Sequence, residues 1–159
     1  MKLFSKTQKT NVLSLLSVCD GEVVSLEAVP DEAFSSGMLG EGCAIVPKDG
    51  VIHSPADGVI ESVSDSRHAY AISTEIGDLL VHIGIDSVRV PEAFETLVKK
   101  GDSVSAGQAI ARADLEKLRT AGINTIIPVL ITDKRAAGEV KIKCGPVRGG
   151  RDVALIIEK

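Results

Sequence analysis

The chain has 159 residues and a formal net charge of −4, the size of one domain with a sizeable buried core. At 44% hydrophobic and 25% charged residues it has the composition of a soluble globular protein. No basic block interleaved with aromatics marks a nucleic-acid binder, and no apolar run approaches the roughly 18–20 residues that span a bilayer.

Residues 1–19 are expected to be a tail, a linker or a short surface helix. Lys2, Lys6 and Lys9, then an apolar stretch, then Cys19, have the outline of a lipoprotein leader. Ser14 and Ser17 interrupt the stretch, however, and Val18 is larger than the residue such cleavage sites take. Leu3, Phe4, Val12, Leu15 and Leu16 would give a surface helix a weak interfacial side. A compact domain is expected over 20–159, opening at Asp20-Gly21. Strands are expected at 22–26, 43–47, 58–63, 68–73, 79–85, 109–113, 126–132, 139–142 and 153–157, with Gly, Pro, Asp and Ser turns between them. Helical turns are expected at 31–35, 93–99 and 115–121, the last capped by Asp114. Many short strands with such turns make the fold mainly β, an antiparallel sandwich or barrel. Ser54–Ile60 and Lys100–Ile110 echo one another, each a turn followed by a strand; neither presents the lysine hairpin of a swinging-arm carrier. Cys19, Cys43 and Cys144, with no CxxC, are expected to be reduced thiols of a cytosolic protein rather than a disulfide or zinc framework.

Two of the three histidines, His68 and His82, flank one expected hairpin. A neutral imidazole is a nucleophile near neutral pH, so they are the best candidates for covalent chemistry. A turn at Thr74-Glu75-Ile76, with Gly77 left-handed, sets His68 opposite His82 and Tyr70 opposite Leu80. His68, Tyr70, Ile72, Leu80 and His82 then share one face, and Ala69, Ala71, Leu79, Val81 and Ile83 face the core. Opposed Cβ atoms lie about 4.5–5.5 Å apart, close enough for both rings to address one phosphoryl group or one metal ion. A shift of one residue would separate them. Spacing alone leaves open that each is a half-buried strand residue. His53 reads as structural or surface.

The segments Ser66-Arg67-His68-Ala69-Tyr70 and Leu80-Val81-His82-Ile83-Gly84-Ile85-Asp86-Ser87-Val88 resemble the glucose-type IIA phosphocarriers of the bacterial sugar phosphotransferase system. Further matches are Phe34, Met38-Leu39-Gly40-Glu41-Gly42, Pro55, Asp57-Gly58, Lys100-Gly101-Asp102 and Gly107-Gln108, in order from about residue 20 onward. The chain departs from the pattern in three places: the spacing between the histidines is one residue short, glycines are missing before Phe94, and Arg67 replaces a smaller or amide residue.

The resemblance implies an antiparallel β-sandwich of barrel-sandwich hybrid type with the histidines in a shallow depression. It implies that His82 accepts the phosphoryl group, that His68 stabilises it and that Ser66 orients His68. The donor would be the phosphorylated histidine carrier protein HPr, and the acceptor a cysteine of a IIB permease domain. Asp31, Phe34, Met38, Leu39, Leu80, Ile83, Asp86 and Val88 would form an apolar docking rim with an acidic margin. The location implied is cytoplasmic, at most peripheral to the inner face of the membrane through the permease. Two readings compete: a regulatory module that signals sugar supply to metabolic proteins, and a zinc hydrolase. The hydrolase would need a third ligand and an activated water, and no HxH or HExxH is present. No cofactor is expected, although His68 and His82 could take up zinc adventitiously or with a partner's carboxylate.

Overall fold

Short β-branched runs cut by Gly, Pro and Asp turns form strands throughout residues 12–158, the part of the chain that this computed structural model describes. In chain order they are β1 Val12–Leu16, β2 Gly21–Ser25, β3 Glu41–Pro47, β4 Val51–His53, β5 Gly58–Val63, β6 Ala69–Ser73 and β7 Gly77–His82. There follow β8 Phe94–Thr96, β9 Ser103–Val104, β10 Ala109–Ala113, β11 Ile127–Lys134, β12 Glu139–Ile142, β13 Gly145–Val147 and β14 Val153–Glu158. Helix α1, Glu32–Ser35, and helix α2, Leu115–Thr120, are short, and each begins at an aspartate whose carboxylate accepts a backbone N–H, Asp31 from Ala33 and Asp114 from Lys117. The fold is mainly antiparallel β. An eight-stranded sheet runs β13-β2-β3-β11-β7-β6-β5-β9, and two three-stranded sheets run β1-β14-β12 and β4-β10-β8.

Period-two alternation gives the large sheet two different faces. One face sends Val23, Ile45, Val129, Val81, Tyr70 and Ile60 into the main core, where they meet Leu15, Leu155 and Ile110 of the smaller sheets. The opposite face carries a smaller cluster. There Ala44, Leu130 and the partly buried Leu80 pack beneath Leu26 and Val29 of the segment that leads into α1 and Phe34 of α1 itself. His82 lies on this second face, two residues beyond Leu80 in β7.

The structure departs from the sequence reading in four places. The fold begins before residue 20: β1 pairs with β14 over Val12–Leu16, and Leu15, Val18 and Cys19 are buried. Residues 12–19 are therefore part of the sandwich, and only 1–11 of the expected tail lie outside the described residues. The helical turn expected at 93–99 is β8, because Phe94 pairs with Ala113 of β10 and its side chain is buried. Strands β4, β9 and β13, two or three residues each, were not expected. The fourth departure is the register of the hairpin.

The turn between β6 and β7 holds two residues, not three. Thr74 and Gly77 bond each other's backbones, and the Thr74 hydroxyl donates to the Gly77 carbonyl and accepts the N–H groups of Ile76 and Gly77. Gly77 belongs to the ladder rather than to the turn. A Cβ there would fall 2.3 Å from the Asp133 carbonyl of β11, so close packing of the strands calls for glycine. Ala69 therefore faces His82, Tyr70 faces Val81 and Ile72 faces Leu79. Tyr70 and Ile72 point into the core, and Ala69 and Ala71 share the outer face with Leu80 and His82, the reverse of the expectation for β6.

The echoed segments pack on each other. Ser54 N–H donates to Gln108 O at 2.8 Å, Gly107 N–H returns a bond to Ser54 O at 2.8 Å, and Ala106 N–H donates to the Asp57 carboxylate at 2.8 Å. His53 is tied to this junction through Nδ1, 2.9 Å from Gly107 O.

Candidate phosphoryl-transfer site

His82 is the last residue of β7, and the chain beyond it leaves the sheet. Ile83 N–H donates to His68 O at 2.7 Å and closes the ladder, and Gly84 and Ile85 bond to Ile126 and Asn124. Gly84 has φ +84, and a Cβ on it would press to 3.1 Å from Ser87 Cβ. This left-handed step brings the Gly84 carbonyl to 2.8 Å from His82 Nδ1. A carbonyl only accepts, so Nδ1 carries the proton and Nε2 holds the free lone pair. Burial pushes the His82 pKa below its ordinary value, while the Gly84 bond and the charges of Asp31 and Asp86 pull the other way without restoring it. The ring is neutral at pH 7, with a nucleophilic Nε2.

His68 comes just before β6 rather than within it. In the observed register a regular strand would turn its side chain to the core face with Tyr70. Arg67, however, is left-handed at φ +62 and ends the strand geometry. The His68 ring lies 5.0 Å from the His82 ring, edge-on at 87°. Phe94 packs 6.1 Å from His68, and Phe34 5.1 Å from His82. Burial, and secondly the neighbouring His82, lower the His68 pKa. Its Nδ1 is 3.1 Å from Ser64 Oγ. The hydroxyl beside the ring is thus Ser64's; among the described residues Ser66 makes no side-chain hydrogen bond. Ser64 and Phe94 were not singled out as site residues in the sequence. A serine opening a tight turn is the signal that could have found Ser64. Arg67, the departure from the family pattern beside His68, holds carbonyls: Nη2 donates to Pro91 O at 2.9 Å, Nε to Phe94 O at 3.2 Å and Nη1 to Asp65 O at 3.3 Å.

The expected rim divides into buried and exposed parts. Ile83 is fully buried in the main core and offers nothing to a partner, because it points to the face opposite His82. Phe34 is buried and Leu80 half-buried, both within the small cluster flanking His82. Met38, Leu39 and Val88 are exposed, at 74%, 41% and 52%. Asp31, half-buried, caps α1, and Asp86, exposed and left-handed at φ +59, heads the turn that carries Val88; both lie near enough to act on His82.

Among the described residues no group of three His, Cys, Asp or Glu side chains could hold a metal ion. Cys19, Cys43 and Cys144 are free thiols. The first two are buried, and burial raises their pKa values, that of Cys43 to about 12, which makes both inert.

Residues 13–137 match the model of the family described as phosphoenolpyruvate-dependent sugar phosphotransferase system, EIIA 1. The match takes in β1 from Leu13 onward and both site histidines. The chain is 36% identical over 162 residues to the PTS system glucose-specific EIIA component of Bacillus cereus, covering 99% of this chain and 98% of that protein. It is 35% identical over 144 residues to the glucose-specific EIIA component of Staphylococcus aureus, covering 89% and 87%. It is 41% identical over 143 residues to the glucose-specific EIICBA component of Streptococcus pneumoniae, covering 88% of this chain and 20% of that longer one. The solved structure of glucose permease IIA from Mycoplasma capricolum superposes with a TM-score of 0.83 at 32% identity, over 98% of this chain and 99% of that one. The chain belongs to the EIIA 1 family of the phosphoenolpyruvate-dependent sugar phosphotransferase system and is a phosphocarrier component of that system.

Proposed function

We propose that His82 carries the phosphoryl group on Nε2. The observation that carries the reading is the 2.8 Å bond from Nδ1–H to the Gly84 carbonyl, with the His68 ring 5.0 Å away. In the first step the P–N bond of the phosphorylated carrier HPr breaks as His82 Nε2 attacks phosphorus, and the electron pair returns to the donor's imidazole. In the second, a thiolate of a IIB cysteine attacks, an S–P bond forms, and the His82 Nε2–P bond breaks with its electron pair returning to the ring. The Gly84 carbonyl stabilises the positive charge that develops on the ring while Nε2 is bonded to phosphorus. His68 donates a hydrogen bond to the phosphoryl oxygens. Phosphoryl transfer asks chiefly for positioning and charge stabilisation, which two strand ends and a tight turn supply without a lid.

Met38, Leu39 and Val88 form the apolar contact for both partners, with Asp31 and Asp86 at its margin. A relative named as an EIICBA component agrees with an A unit that works beside B and C units, and relatives named for glucose make glucose the first sugar to test. Among the described residues no helix is long and apolar enough to cross a membrane, and the proposed place of work is the cytoplasmic side of the permease.

Incubation with phosphorylated HPr, followed by mapping of the acid-labile phosphate, tests the assignment. The label is expected on His82 and is expected to vanish in His82→Ala with the fold intact. Labelling elsewhere, or undiminished labelling of that variant, would overturn it.

A further inference from the structure

We propose that Ser64 is a positioning residue that fixes the proton of His68 on Nε2, so that His68 offers an N–H to the phosphoryl group on His82. The proposal rests on the reading of His82 as the acceptor. Ser64 follows β5 and opens the turn that reverses the chain into β6. Arg67 N–H donates to Ser64 O at 2.8 Å, and Ser64 N–H donates to Ala69 O at 3.0 Å. Its hydroxyl oxygen is used three times. The backbone N–H groups of His68 and Ala69 donate to it at 3.2 and 3.1 Å, and His68 Nδ1 lies 3.1 Å away.

A hydroxyl has two lone pairs and one proton. The two backbone N–H groups take the lone pairs, so the third contact must use the proton. Ser64 O–H therefore donates, His68 Nδ1 accepts, and the neutral ring keeps its proton on Nε2. The other tautomer would bring a third donor to an oxygen with no lone pair left and strand the hydroxyl proton.

His82 has the opposite arrangement, Nδ1–H on the Gly84 carbonyl and a bare Nε2. Two chemically identical rings set edge-on thus become a nucleophile and a hydrogen-bond donor, each assigned by one neighbouring oxygen. During transfer the His68 Nε2–H bond stays intact. It donates to a phosphoryl oxygen as the P–N bond of His82 breaks and the S–P bond of the acceptor forms.

Nitrogen-15 NMR of the histidine rings reads both tautomers with no phosphoryl donor present. In the unaltered protein, His68 is expected to show a bare Nδ1 and a protonated Nε2, and His82 the reverse. Ser64→Thr keeps the hydroxyl and is expected to keep that pattern. Ser64→Ala removes the oxygen that the turn uses and can loosen it. Ser64→Asp is the stricter variant, because its carboxylate accepts the same backbone N–H groups but has no proton to donate. At a pH where His68 is neutral, Ser64→Asp should move the ring proton to Nδ1. Passage of phosphate from His82 to a IIB cysteine should then slow roughly tenfold, short of the ~100-fold that losing a whole transition-state donor costs, with Ser64→Thr within about twofold of the unaltered protein. A protonated Nδ1 on His68 in the unaltered protein, or an unmoved proton in Ser64→Asp, would refute the proposal. If the tautomers read as stated but HPr does not label His82, the acceptor assignment fails and the Ser64 geometry stands.

Discussion

Burial holds both site imidazoles below the ordinary histidine value, and this sets their pH behaviour. With folded-state values below the unfolded ~6.5, the unfolded chain takes up protons first as pH falls. The stability tied to the neutral rings is complete above about 6.5 and is lost as pH falls through that value toward the folded ones. Ring titrations followed by NMR should give midpoints below 6.5 for both, and phosphate uptake by His82 should stay level from pH 8 to 7 and decline only in the acid range. A His82 midpoint above the ordinary value would contradict this electrostatic account. The histidines were legible in the sequence because the chain has so few and because the resemblance converges on them. Ser64 was not, because its role comes from three contacts to one oxygen, and those exist only once the turn has closed.

The hairpin shows how far pattern alone specifies an element. Both strands were legible, but the register depended on whether the turn held two residues or three. No Asn-Gly or Asp-Gly pair marks that turn, and the Thr74 hydroxyl decides it. A slip of one residue exchanges faces, which put Tyr70 into the core instead of beside His82. The histidines still meet because Arg67 breaks the strand just before the pairing would separate them. At the other end of the chain, β1 reads in the sequence as tail or surface helix, since a short apolar run broken by serines does not by its period tell a strand from a helix. Leu15 makes the difference measurable. In a tail its truncation would be silent; in the core, Leu15→Ala should cost about 2–5 kcal/mol in denaturant unfolding. A loss below about 0.5 kcal/mol, the usual size of a surface change, would place β1 outside the cooperative unit.

Across the whole molecule, the large sheet gives one face to the main core and the other to the small cluster and the two histidines. The main core fills one side, and the small cluster under α1 leaves room beside it for the site and its exposed Met38, Leu39 and Val88. Apolar contact and acidic margin should separate experimentally. Asp86→Asn, which suits the left-handed backbone there, should slow transfer from HPr chiefly at low ionic strength, because exposed charges are screened beyond roughly 10 Å at 0.1 M salt. Met38→Ala should weaken transfer at every salt concentration. Kinetics from low to high salt that run parallel for the two variants would refute the division.

Arg67 gives the site its chemical character. A guanidinium within reach of a phosphoryl group would grip that dianion and make the site a sink. Here the guanidinium is turned onto the carbonyls of Pro91, Phe94 and Asp65. A phosphoryl group on His82 would meet neutral donors, with Asp31 and Asp86 adding negative charge nearby. Such a site would leave little free energy behind at either exchange, and the group would pass on at nearly the potential at which it arrived.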